Sequence, residues 1–131
     1  MRRALHPTFY VERVENVVMP GRPDVDVMWF GVTIPVELKA RPIAPVRSTT
    51  PVLGADGLNG NQLNWWLRWG QSCGRGFILI DVSSHPLFAV PGRYSEQVNY
   101  MTLKQLKPFE VTWEQFVDKI RREIREIAQT V

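Results

Sequence analysis

The stretch that decides the fold is residues 23–40, Pro23-Asp24-Val25-Asp26-Val27-Met28-Trp29-Phe30-Gly31-Val32-Thr33-Ile34-Pro35-Val36-Glu37-Leu38-Lys39-Ala40. Its composition predicts two strands, 24–30 and 33–40, on either side of a turn at Gly31. A turn over residues 29–32 makes Met28 face Thr33 and, two residues at a time, makes Asp24 face Glu37. Directly opposed carboxylates destabilise a hairpin unless a cation neutralises them, so this pairing predicts a divalent-metal site.

The residues around Glu37 indicate the chemistry of that site. Hard oxygen ligands without cysteine favour Mg²⁺ or Mn²⁺. The two-residue period of a strand places Lys39 on the face of Glu37, and it places Val36, Leu38 and Ala40 on the opposite face, in the core. An ammonium group beside the metal can orient or deprotonate an attacking water, or stabilise negative charge on a phosphoryl group.

The rest of the chain predicts one domain over residues 1–131, an α/β fold with a mixed central sheet flanked by helices. The expected elements are a helix within residues 3–18 beginning near Pro7, a long loop over 41–58, a helix over 58–70, buried strands at 77–82 and 88–90, and a helix from Thr112. The last helix carries an apolar stripe of Phe116, Ile120, Ile124 and Ile127. Loops as long as 41–58 are usually functional.

Composition restricts the function classes. The formal net charge is +3 and the sequence pI about 9.4, which permits a polyanionic partner. A single cysteine, Cys73, leaves no disulfide framework and no cysteine metal cage. Because neither a membrane span nor a secretory signal is recognisable, we expect a cytoplasmic protein. Neither Cys73, His6 nor His85 has a neighbouring residue that predicts catalysis.

Several motifs follow one another between about residues 9 and 82. They are Arg13-Val14-Glu15-Asn16, Pro20-Gly21-x-Pro23-Asp24, Val36-Glu37-Leu38-Lys39, Gln62 with Trp65, and the apolar strand after Gly74 to Gly76. In this order they resemble the PD-(D/E)xK nuclease superfamily, particularly its small, often phage-encoded members related to the VRR-Nuc branch. The Val-Arg-Arg signature of that branch is missing, and Leu79-Ile80-Asp81 stands near its place.

The resemblance implies a restriction-endonuclease-like core and a set of site residues. Asp24, Glu37 and the backbone carbonyl of Leu38 would bind the metal, and Lys39 would orient or activate the water that attacks the phosphodiester.

The resemblance also assigns residues outside the hairpin. Glu15 would support a metal or its water, with Glu12 as the alternative, and Gln62 would approach the metal or the scissile phosphate. Apart from the resemblance, the length, prolines and positive charges of the 41–58 loop predict that Arg41 and Arg47 contact DNA.

We therefore expect a Mg²⁺- or Mn²⁺-dependent endonuclease that hydrolyses DNA, structure-selective for branched or junction substrates and working in the cytoplasm, or in the host cytoplasm if phage-encoded. Symmetric junction resolution needs two active sites, hence a homodimer. A nuclease for linear ends or single strands could be monomeric. The alternatives are a nuclease-like fold that binds DNA or a partner without turnover, and a virion or assembly protein.

Each motif also has a purely structural interpretation. Asp24 on its own is typical of a turn cap after Pro23. Asp26, on the face of Asp24, could be a further metal ligand, although a solvated residue or a pair with an arginine is the better explanation. Glu37 and Lys39 alone would be a solvated strand face. Three tryptophans at helical spacing could stack on bases, although core packing is the better explanation for at least two of them. They are Trp65, Trp66 and Trp69.

Overall fold

The computed structural model describes residues 10–13, 21–72 and 75–130. Its centre is a six-stranded sheet in which the strands follow one another in chain order. Strands β3 and β4 are parallel, and all other neighbours are antiparallel, so the predicted α/β fold with a mixed sheet flanked by helices is confirmed. The strands are β1 (Tyr10–Arg13), β2 (Val25–Trp29), β3 (Val32–Arg41), β4 (Phe77–Val82), β5 (Leu87–Pro91) and β6 (Glu110–Val111), and the helices are α1 (Gly60–Ser72), α2 (Ser95–Val98), α3 (Leu103–Leu106) and α4 (Trp113–Thr130).

The β2–β3 hairpin has the register that the sequence predicts, because Met28 pairs with Thr33. Its turn spans residues 29–32, as expected, with Phe30 and Gly31 as the two central residues. Both have positive φ, 50° and 74°, as in the type I′ turns that match the twist of a hairpin.

One face of the sheet is covered by α4. Thr112 caps this helix, since its Oγ1 accepts from the backbone N of Gln115 at 3.1 Å and the Gln115 side chain accepts from Thr112 N at 2.9 Å. This reciprocal capping box satisfies two amide groups that would otherwise lack partners. The predicted apolar stripe of α4 is buried against the strands, at Phe116, Ile120, Ile124 and Ile127.

The other face of the sheet is covered by α1 and by the end of the loop that precedes it. Trp66 of α1 is 2% exposed. Its ring needs glycine on the facing segments, because a Cβ at Gly76 or Gly92 would lie 2.8 Å or 2.4 Å from the ring. Trp65 and Trp69 stack on each other and pack, half-buried, against the same core. Core packing of at least two of the three tryptophans is confirmed.

Two sequence expectations are wrong. Residues 10–13 form β1, paired with β2, where a helix was expected; the remainder of that helix, within 3–18, lies outside the described residues. Leu38 and Ala40 are exposed, Leu38 at 38%. The cluster buried beneath α4 includes Val36 of β3 but neither of these two residues, because α4 covers only the first half of that strand.

Candidate active site

The hairpin brings two carboxylates together beneath the start of α1. Val25 pairs with Val36, so Asp24, just before β2, lies beside Glu37. The Oδ2 of Asp24 accepts a hydrogen bond from Leu38 N at 3.0 Å. This bond fixes the Asp24 carboxylate on the strand that carries Glu37.

The carboxyl group of Glu37 is buried, and its pKa is unusually high for a glutamate. The residue is 1% exposed, and burial, reinforced by the negative charge of Asp24, raises its pKa from 4.5 to about 8, against the opposing effect of Lys39. Its Oε1 accepts from Gln62 Nε2 at 3.1 Å. Its Oε2 is buried with no hydrogen-bond partner in the described part of the chain. A buried anion with a free oxygen is expensive to maintain without a cation.

Lys39 and Gln62 complete a connected polar network. Lys39 Nζ lies 3.1 Å from Gln62 Oε1, to which it donates, and 3.8 Å from Glu37 Oε1. The Gln62 amide therefore donates to the acid and accepts from the base. The sequence resemblance assigns Gln62 to the site. In the structure, Gln62 lies on α1 and contacts Glu37 and Lys39 of β3.

The first turn of α1 sets the orientation of that amide. Asn59 caps the helix, with its Oδ1 accepting from Gln62 N at 2.9 Å and its backbone N donating to Gln62 Oε1 at 3.0 Å. Gly21, at φ +91°, lies against this turn, and a Cβ there would come within 2.2 Å of the Asn61 carbonyl oxygen. Glycine at 21 thus allows the segment leading to Asp24 to approach the helix that carries Gln62.

The predicted DNA-contacting loop begins at the end of β3. Arg41 pairs with Asp56 at 2.8 Å, an ion pair that the sequence did not indicate because the loop has no periodicity to relate the two positions. Arg47 is exposed on the loop. Two apolar residues of the same loop, Ile43 and Val46, are 77% and 100% exposed.

Two other acids of the sequence analysis, Asp26 and Glu12, lie in the described part of the chain. Asp26 forms an ion pair with Arg22 at 2.6 Å, as one of its sequence interpretations predicted. Glu12 is exposed and pairs in register with Asp26, which places it one row away from Asp24. Glu15 lies outside the described residues. Within the described ranges, no group of three or more His, Cys, Asp or Glu residues is placed to hold a metal ion.

The fold is similar to that in the 1.6 Å structure of Archaeoglobus fulgidus Hjc, a Holliday junction resolvase from an archaeal hyperthermophile. The similarity covers 88% of this chain and 89% of that chain, at a TM-score of 0.57 and 14% sequence identity. No protein-family model matches this sequence, and no curated protein matches it. In the part of the chain that the structure describes, no helix is long and apolar enough to cross a membrane. At this identity, the comparison shows similarity of fold alone.

Proposed function

We propose that this chain is a divalent-metal-dependent endonuclease that hydrolyses DNA phosphodiester bonds, with branched or junction DNA as its substrate. The observation that carries the proposal is the Asp24–Glu37 pair, with Lys39 and Gln62 in contact around Glu37. The fold similarity to a junction resolvase supports the same conclusion. Glu37 combines a buried oxygen that has no hydrogen-bond partner among the described residues with an adjacent Asp24 and Lys39, and such clusters of perturbed titratable groups favour a functional site.

The residues present fit a hard divalent cation, Mg²⁺ or Mn²⁺. Asp24, Glu37 and the Leu38 carbonyl are the proposed ligands, and the buried Oε2 of Glu37 is an oxygen with no other partner in the described residues. All three supply the oxygen ligands that these cations prefer. When bound, such a cation lowers the pKa of water and stabilises charge on a phosphoryl group. Glu15 remains a proposed supporting acid.

Lys39 supplies the positive charge beside the acid pair. Its contact with Gln62 Oε1 holds the ammonium group at the edge of the network, 3.8 Å from Glu37. There it can orient the attacking water and stabilise the developing negative charge on the phosphate, which are contributions of about 10²- to 10⁴-fold each at such sites. Gln62 holds both partners in this arrangement and can contact the scissile phosphate.

The substrate is proposed to reach the site along the loop after β3. Arg41 ends the strand that carries Glu37 and Lys39, and Arg47 is exposed six residues further on. Both are suited to phosphate contacts. Cutting a four-way junction on two strands requires two such sites, so a two-fold homodimer is proposed for the active form.

Purified protein incubated with labelled four-way junction, linear duplex and single-stranded DNA, each with Mg²⁺, Mn²⁺ or excess EDTA, tests the proposal. We expect metal-dependent cleavage, fastest on the junction. Equal cleavage in EDTA would contradict the metal site, and tight binding without cleavage would favour the interaction-module alternative. Sedimentation of the same samples tests the dimer.

A further inference from the structure

Asn99, between α2 and α3, clamps the peptide that precedes the α1 cap. Its Oδ1 accepts from Leu58 N at 2.7 Å and its Nδ2 donates to Leu58 O at 2.8 Å. The clamp is closely packed, since a Cβ at Gly57 would lie 1.9 Å from the Asn99 Oδ1. One side chain therefore satisfies both backbone groups of a single residue, 41 positions away in the chain.

The clamped peptide leads directly to the active-site network. Leu58 is followed by Asn59, whose side chain and backbone hold Gln62. Gln62 in turn contacts both Glu37 and Lys39. No contact in this series is longer than 3.1 Å.

The same residue also secures the end of the DNA-contacting loop. The backbone carbonyl of Asn99 accepts from Gly54 N at 3.0 Å. Gly54 begins the 3₁₀ turn that contains Asp56, the ion-pair partner of Arg41. Residues 54–58 are thus held at both ends by Asn99, once through its backbone and once through its side chain.

We propose that Asn99 is a positioning residue for the active site, acting through Leu58 and Asn59 on the Gln62 amide and through Asp56 on Arg41. This inference rests on the proposed nuclease function. Small displacements of a positioned group are costly, because a misplacement of about 1 Å can reduce catalysis about 10²-fold. The β2–β3 hairpin holds Asp24 and Glu37, and the clamp reaches Glu37 only through the Gln62 amide, so metal affinity should be preserved when the clamp is removed.

Asn99→Ala removes the side-chain clamp, and Asn99→Asp retains its shape and the acceptor while losing the donor to Leu58 O. Gln105→Ala is the matched control, since it removes the side-chain half of the Thr102–Gln105 capping box of α3, which does not lead to Gln62. We expect Asn99→Ala to lower the single-turnover cleavage rate at saturating DNA by about 10- to 100-fold, with Mn²⁺ affinity by calorimetry unchanged. Gln105→Ala should stay within about twofold of wild type, because the side chain of Gln105 bonds to Thr102 and no hydrogen bond among the described residues leads from it to the acid pair. Equal rates for wild type and Asn99→Asp, or equal losses in Asn99→Ala and Gln105→Ala, would overturn the proposal.

A second readout is independent of activity. The side-chain amide of Gln62 should give NMR signals that are shifted and slow to exchange in the wild-type protein, and Asn99→Ala should move them toward those of a solvated glutamine. Unchanged Gln62 amide signals would refute the positioning role even if no DNA were cut. If the Gln62 signals change in the Asn99 variants as expected but the wild type cleaves no DNA, the nuclease function would be refuted and the positioning role would stand.

Discussion

Glu37→Gln should stabilise the metal-free protein while abolishing cleavage. Glutamine keeps an oxygen that can accept from Gln62 and removes the charge that faces Asp24. It also places an amide at the position of Oε2, which has no hydrogen-bond partner among the described residues. When a residue that is buried for structure is changed in this way, the protein loses stability. When the residue is retained for metal binding and no metal is present, the protein should gain stability.

The magnitude of this stabilisation follows from the pKa of Glu37, which burial raises from 4.5 to about 8. Since each tenfold change in an ionisation constant is worth about 1.4 kcal/mol, ionising Glu37 in the folded protein costs up to about 5 kcal/mol. The stabilisation from the protonated form is fully present below pH 4.5 and is lost as the pH rises to about 8. Relaxation around the site reduces this limit, so we expect Glu37→Gln to gain on the order of 3 kcal/mol at pH 8, or roughly 10 °C in Tm.

Thermal and urea unfolding in EDTA, from pH 4 to 9, measures this difference. Glu110→Gln, at an exposed strand position, controls for the loss of a carboxylate as such. The gain should vanish near pH 4, and Mn²⁺ should stabilise the wild type more than Glu37→Gln. A Glu37→Gln protein that is less stable than wild type at pH 8, or that has the same pH dependence, would refute the reasoning.

Further predictions concern the other groups of the protein. Lys39→Met keeps both carboxylates, so calorimetry should still detect Mn²⁺ binding, while single-turnover cleavage falls by about 10²- to 10⁴-fold; wild-type cleavage by this variant would reject the proposed role of the lysine. Combined Arg41→Ala and Arg47→Ala should weaken DNA binding and lower its salt slope by about 2 in a fluorescence titration, and an unchanged slope would exclude the loop as the DNA contact. The Oε2 of Glu123 in α4 is buried without a hydrogen-bond partner among the described residues, and burial raises the pKa of this side chain to about 7. The stabilisation from its protonated form is therefore lost as the pH rises from 4.5 to about 7. Glu123→Gln should therefore raise the free energy of unfolding by about 1–2 kcal/mol at pH 8, with or without Mn²⁺. A gain that depends on Mn²⁺ would contradict the view that Glu123 takes no part in metal binding.

The hairpin was predictable because its information is local. Strand alternation and a short turn define the register, and the register alone brings Asp24 beside Glu37. The terminal helix was likewise predictable from Thr112 and the apolar stripe behind it. These elements depend on neighbours within a few positions of each residue.

The errors occur where distant partners determine the structure. Residues 10–13 have spacing typical of a helix, yet pairing with β2 makes them a strand, since tertiary context overrides a weak local preference. Leu38 follows the strand alternation, but no helix among the described residues covers that part of the sheet. The Asn99 clamp gave no sequence signal because its partner is 41 residues away in a segment without periodicity. The buried state of Glu37 also depends on α1, which the hairpin sequence does not specify.

The most direct test of the central claim is the single-turnover rate of junction cleavage in Mn²⁺ for wild type and Asp24→Asn, measured beside their Mn²⁺ affinities. Asp24→Asn removes an anionic ligand and retains an oxygen that can accept from Leu38 N. We expect metal affinity and cleavage to fall together, the cleavage by at least about 10²-fold. Full cleavage by a folded Asp24→Asn protein, or no metal-dependent cleavage by the wild type on any DNA, would contradict the assignment of this site.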